Sequence, residues 1–171
     1  GQLLLLNSAV TASSNPEVNV QGNSVNIPLG NTAISSGNNT DFGTINTGMA
    51  VNKSFVIQNT GTGALVISSM FISGTNAGDF TFVNAPAYPL TIAAGASQNF
   101  TVSFNPALIG TRNATVSVDN NDFNENMYDF AIQGIGAAPE INLQGNSSNI
   151  LSGSNAPSAS NNTDFGSTIF N

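Results

Sequence analysis

The chain contains no cysteine and no histidine among its 171 residues, and only two basic residues, Lys53 and Arg112. The first two absences remove the thiolate and the imidazole as nucleophile, general base or soft-metal ligand. The third sets two cations against nine acids, a net charge of −7. That balance takes away the cationic surface that nucleic acid or an anionic lipid headgroup needs, so neither is expected as a partner. No apolar run approaches the roughly eighteen residues of a membrane-spanning helix, and no membrane insertion is expected. Freedom from cysteine is compatible with either redox compartment. Charged residues make up only 6% of the chain, their place being taken by Asn, Ser, Thr and Gly. These suit turns and the solvent face of strands and supply little helix propensity, which points to an all-β fold.

What the chain does have is a repeat. Pro16-Glu17-Val18-Asn19-Val20-Gln21-Gly22-Asn23 returns as Pro139-Glu140-Ile141-Asn142-Leu143-Gln144-Gly145-Asn146. Asn38-Asn39-Thr40-Asp41-Phe42-Gly43 returns as Asn161-Asn162-Thr163-Asp164-Phe165-Gly166, and both offsets are 123 residues (139 − 16 and 161 − 38). One offset shared by two separated motifs means that one structural unit ends near Ala138 and another begins. The expected organisation is an N-terminal apolar segment over residues 1–15, a first repeat over 16–138 and the start of a second over 139–171. The junction at residues 134–139 reads as a brief linker that limits hinge freedom without abolishing it.

From residue 52 to residue 134, short apolar alternations are separated by turn residues, the pattern of a β-sandwich. Phe55 and Ile57 alternate with polar neighbours, a turn follows at Gly61-Thr62-Gly63, and Leu65 and Ile67 begin an expected hairpin return. Phe100, Val102 and Phe104 form one strand and Ala114, Val116 and Val118 another, and the two are expected to pair. With Val18, Val20, Phe42, Ile45, Phe80, Phe130 and Ile132 the count reaches seven to eight strands. Residues 22–41 read as a long surface loop or an extra short hairpin. The expected core comprises Phe42, Phe55, Ile57, Leu65, Ile67, Phe80, Phe100, Val102, Phe104, Val116, Val118, Phe130 and Ile132.

Chemistry is sparse. The stretch from Asp119 to Asn126 concentrates oxygen ligands of the kind a calcium ion takes in sets of six to eight, with Asp119, Asp122 and Glu125 as the candidates. It lacks the glycine and terminal Glu placement of an EF-hand. The competing reading is an Asx-rich loop whose side chains satisfy backbone amides. Glu17 and Asp41 would join a cation site only if the fold brings them close. Gly61-Thr62-Gly63 is a turn rather than a phosphate cradle, because no helix follows it. Sequons such as Asn52-Lys53-Ser54 and Asn113-Ala114-Thr115 follow from the abundance of Asn and Thr. No organic cofactor is expected, and no residues stand out as catalytic.

The two copies of Pro-Glu-x-Asn-x-Gln-Gly-Asn, together with Thr40-Asp41-Phe42-Gly43, Phe55-Val56-Ile57-Gln58-Asn59-Thr60-Gly61, Ile72-Ser73-Gly74-Thr75-Asn76-Ala77-Gly78-Asp79-Phe80 and Tyr128-Asp129-Phe130-Ala131-Ile132-Gln133-Gly134, resemble the repeat of choice-of-anchor D proteins. These are large bacterial surface proteins whose modules look like the Hydin-type immunoglobulin-like domain. The resemblance implies a seven-stranded immunoglobulin-like sandwich, export to the cell surface, and a role as spacer, adhesin stalk or scaffold with no catalytic residues. It departs from the family in that no sorting domain is visible. Low lysine content with Asn and Thr enrichment also suits a secreted bacterial protein, extracellular or on the cell surface. Neighbouring copies of the same repeat or subunit are then the expected partners. Leu3, Leu4, Leu5 and Leu6 offer an apolar strand for addition to a neighbour's sheet, which would build a filament. A module binding calcium, a surface glycan or a host ligand is the alternative.

Overall fold

The apolar alternations appear as strands in a computed structural model that describes residues 14–167. Two units are distinguished, Gly1–Ala138 and Pro139–Asn171. The first contains β1 (Val18–Gly22), β2 (Val25–Asn26), β3 (Asp41–Asn46), β4 (Val51–Asn59), β5 (Leu65–Ser73), β6 (Phe80–Val83), β7 (Leu90–Ile92), β8 (Ser97–Phe104), β9 (Gly110–Asn120) and β10 (Tyr128–Ala137). They form two five-stranded sheets, ordered β2-β1-β4-β8-β6 and β3-β10-β9-β5-β7. This is an immunoglobulin-like β-sandwich. Among the described residues no helix is long and apolar enough to cross a membrane.

Alternation explains the layers. In β4 from Phe55 onward and in β8 from Phe100 onward every second residue is buried, and in β10 the same period brings Tyr128, Phe130 and Ile132 inward. All thirteen expected core residues are buried, joined by Val18, Val20, Ile27, Ile92, Ala114 and Tyr128. Burying each of the larger side chains contributes roughly 1.5–3 kcal/mol. Phe104 lies 4.7 Å from the ring of Phe80 and 5.9 Å from that of Phe42, while Phe55 touches Phe100 at 5.3 Å and Phe130 at 5.6 Å. These rings bind the two sheets together.

The pairing differs from the expectation at two places. β4 and β5 do not form a hairpin, and β8 does not pair with β9: in each case the chain crosses to the other sheet. β4 lies between β1 and β8, and β9 between β10 and β5. The connections over residues 60–64 and 105–109 are each long enough to span the roughly 10 Å between packed sheets. Two short strands, β2 and β7, bring the sandwich to ten. The segment between β1 and β3 is ordered by a tight β1–β2 hairpin, by Ile27 entering the core, and by a 3-10 turn over Ser36–Asn38 capped by the Ser35 hydroxyl.

Topology defines two ends. At the upstream end lie the approach to β1, the turn at residues 60–64 and the β9–β10 loop. At the downstream end lie the β3–β4 and β8–β9 connections and the end of β10, which runs parallel to β3. Asn59 organises the upstream end. Its amide donates to Gly63 O at 2.7 Å and Ile92 O at 3.0 Å, and its oxygen accepts from Gly61 N at 3.1 Å and Glu17 N at 3.3 Å.

Unit 2 holds β11 (Leu143–Gly145), β12 (Ser148–Ile150) and a 3-10 turn over Ala159–Asn161. β11 pairs with β12 as β1 pairs with β2. Leu3, Leu4, Leu5 and Leu6 lie outside the described residues.

Candidate functional site

The β9–β10 loop is shaped by its own side chains. Asn120 Oδ1 accepts from Asp122 N at 2.8 Å, and Asn120 Nδ2 donates to Val118 O and Glu125 O, both at 3.2 Å. Asn121 Oδ1 accepts from Val66 N at 2.7 Å and its Nδ2 donates to Ala64 O at 3.1 Å, fastening the loop to β5. Asp122 is 1% exposed. Its Oδ2 accepts from Val18 N at 2.9 Å and its Oδ1 from Asn124 N at 3.4 Å. A buried carboxylate thus ties the start of β1 to a loop 104 residues away.

Glu17, next to Val18, brings a second carboxylate to this point, and Glu125 a third. One oxygen from each of Glu17, Asp122 and Glu125 lies within 4.8 Å of the others. Asp119 is not among them: it stands in β9 opposite Ser69 of β5, on the outward phase of the strand. Asp41 is elsewhere too, accepting from Gly43 N at 2.8 Å. Of the three expected ligands the fold therefore gathers two, and adds Glu17. Glu17 and Asp41 were expected to join only if the fold brings them close, and it does so for Glu17 alone.

The electrostatics follow from this crowding. Glu125 Oε2 is buried and has no hydrogen-bond partner. Desolvation, reinforced by the charges of Glu17 and Asp122, pushes the Glu125 carboxyl above its ordinary value. Beside the triad an open cleft of about 440 Å³ is bounded by Glu17, Asn19, Asn26, Leu29, Thr60 and Glu125. Three carboxylates with amide and hydroxyl oxygens nearby suit a hard cation by type.

Elsewhere one buried charge pair was not foreseen. Asp79 Oδ2 meets Arg112 Nε, Asp79 Oδ1 accepts from Ala107 N at 3.1 Å, and Asp79 is 6% exposed. This is the single ion pair among the described residues. Arg112 thereby serves the fold, holding the short turn before β6 against β9.

Two five-stranded sheets packed on an aromatic core, with an acidic loop at one end, define an immunoglobulin-like module. The model of the HYDIN/CFA65/VesB-like, Ig-like domain matches residues 34–135, and the chain belongs to that family. Among solved structures, the chain is similar to a protein of unknown function from Porphyromonas gingivalis W83, with 17% identity and a TM-score of 0.52, covering 74% of this chain and 50% of that one. It is also similar to the PapD-like domain 7 of human CEP192, at 12% identity and a TM-score of 0.47, covering 82% and 96%. The VesB protease of Vibrio cholerae matches at 13% identity and a TM-score of 0.44, covering 72% of this chain and 32% of VesB. The chain thus spans half of the first of these proteins. No curated protein matches it. Membership in the family points to a non-catalytic module.

Proposed function

We propose that this chain is a structural repeat module of a secreted bacterial surface protein of the choice-of-anchor D kind, serving as a spacer, adhesin stalk or filament subunit. The observation that carries the reading is the return, 123 residues on (139 − 16), of the opening element of the sandwich. An element copied in register is what a tandem array of such modules contains. Protease added to intact cells is expected to release fragments of the repeat. Fragments appearing only after lysis would overturn the surface assignment.

Contacts with neighbouring copies are the partners this role requires. Leu3, Leu4, Leu5 and Leu6 are the segment we assign to strand addition onto a neighbouring subunit's sheet. Deletion of residues 1–14 is expected to shorten the polymers seen by electron microscopy, and an unchanged length refutes the assignment.

The convergence of Glu17 with Asp122 and Glu125, around a buried and unpartnered carboxylate oxygen, favours a second reading in which calcium binds here. A cation would tie the incoming chain to the β9–β10 loop, with the adjoining cleft open to a surface glycan or a host ligand. Calcium is then expected to raise the Tm, and Glu17→Gln to reduce that rise. A Tm indifferent to calcium removes this reading.

A further inference from the structure

Unit 2 reproduces the opening of unit 1 bond by bond. Gly166 N donates to Asp164 Oδ1 at 2.8 Å, as Gly43 N does to Asp41 Oδ1 at 2.8 Å. Gln144 Nε2 donates to Asn149 Oδ1 at 2.7 Å, as Gln21 Nε2 does to Asn26 Oδ1 at 2.7 Å. A Cβ added to Gly145 would stand 1.7 Å from Asn161 O, and one added to Gly22 would stand 1.8 Å from Asn38 O. What differs is the cover. Val18, Val20 and Phe42 are 3%, 0% and 3% exposed, whereas their counterparts Ile141, Leu143 and Phe165 are 93%, 60% and 94% exposed. An open groove of about 300 Å³ runs between Ile141, Leu143, Ile150 and Leu151.

Unit 1 shows what such a face takes. There β4 lies antiparallel along β1, with Ile57 opposite Val20 and Phe55 opposite Gly22, and the Tyr128 hydroxyl donates to Ile27 O. A second contact falls on the backbone. Thr62 N and Gly63 N both donate to Asn15 O at 2.9 Å, and Thr60 N donates to Glu17 O at 2.8 Å. The approach is too close for a side chain: a Cβ on Gly61 would stand 2.4 Å from Asn15 O, and one on Gly63 2.4 Å from Ser14 O. One repeat later, the positions of Ser14 and Asn15 are Ala137 and Ala138 (14 + 123 and 15 + 123). Ala137 is already fixed in unit 1, where it pairs with Asn46 and its carbonyl accepts from Thr47 N at 2.9 Å.

We propose that residues 137–166 are the docking surface for the body of a further copy of this repeat, carried on the same polypeptide. The β4-like strand of that copy lies along β11, with its equivalent of Ile57 opposite Leu143 and its equivalent of Phe55 opposite Gly145. Its Gly-Thr-Gly turn closes on Ala137 and Ala138. Because Ala137 is then held by two repeats at once, no residue is left between them as a free hinge. The proposal rests on the repeat-module reading and specifies the joint within it.

Residues 49–138 appended after Asn171 continue the register and supply this body. Amide hydrogen exchange over residues 141–150 is expected to be fast in the 171-residue chain. In the extended chain it is expected to slow by roughly a hundredfold or more, toward the rate of residues 18–27, and Leu143→Asp returns it to fast. Continued fast exchange beside a folded appended body overturns the proposal. Protection that depends on protein concentration also overturns it, by assigning the surface to a second molecule. The joint is read separately, from spin labels at Thr81→Cys in both copies, a placement the cysteine-free sequence allows. A narrow distance distribution is expected, broadened by Gly63→Ala in the appended copy, and a broad one in the unsubstituted extended chain overturns the joint. The surface assignment is unaffected by any of these results, since it depends on the cell experiment above.

Discussion

Phe104 is fully buried and touches the rings of Phe42 and Phe80. Phe104→Ala is expected to cost about 3–5 kcal/mol, read from chemical denaturation midpoints. Asp79→Ala would leave the mostly buried Arg112 without its carboxylate and is expected to cost about 3–5 kcal/mol as well, read in the same way. Glu125 behaves oppositely. Its carboxyl is raised by burial and by Glu17 and Asp122, so the ionised form opposes folding, and that penalty is fully present above the raised value. Stability should therefore increase as the pH falls from neutral through that value toward the ordinary glutamate range. Glu125→Gln should be more stable than the parent at pH 7, with the difference vanishing at the acid end of that window. Thermal melts across the pH range check the sign. Core residues were legible in the sequence because period-two alternation reports burial directly. The Asp79–Arg112 pair was not, because its partners lie 33 residues apart and nothing local links them.

At the scale of elements, the positions of the strands were readable and two of their pairings were not. Phe100, Val102 and Phe104 alternate in the same way whether the next strand joins their sheet or faces it, so the pattern cannot choose between a hairpin and a crossover. The five-residue connections make either possible. The β9–β10 loop follows the same logic. Its Asn and Asp content marked it as a loop that feeds backbone amides, and Asn120, Asn121 and Asp122 do so. The partners, Val18 on β1 and Val66 on β5, come only with the fold. Asp122→Ala would strip Val18 N of its acceptor and is expected to cost about 1–3 kcal/mol, with the loss of amide protection concentrated at the start of β1.

For the whole molecule, the polarity of the sandwich has a mechanical meaning. The chain arrives at the upstream end, into β1, and leaves at the downstream end, from β10. Tension applied through the two termini therefore pulls β1 lengthwise against β4, along a ladder running from Val18 opposite Asn59 to Gly22 opposite Phe55. It likewise drags β10 along β3, from Gln133 opposite Asp41 to Ala137 opposite Asn46. Bonds lying across the line of force yield together under shear, whereas a strand peeled from its end gives them up one at a time. Single-molecule stretching through the termini should accordingly meet a higher unfolding force than stretching through residues 61 and 123, which both lie at the upstream end.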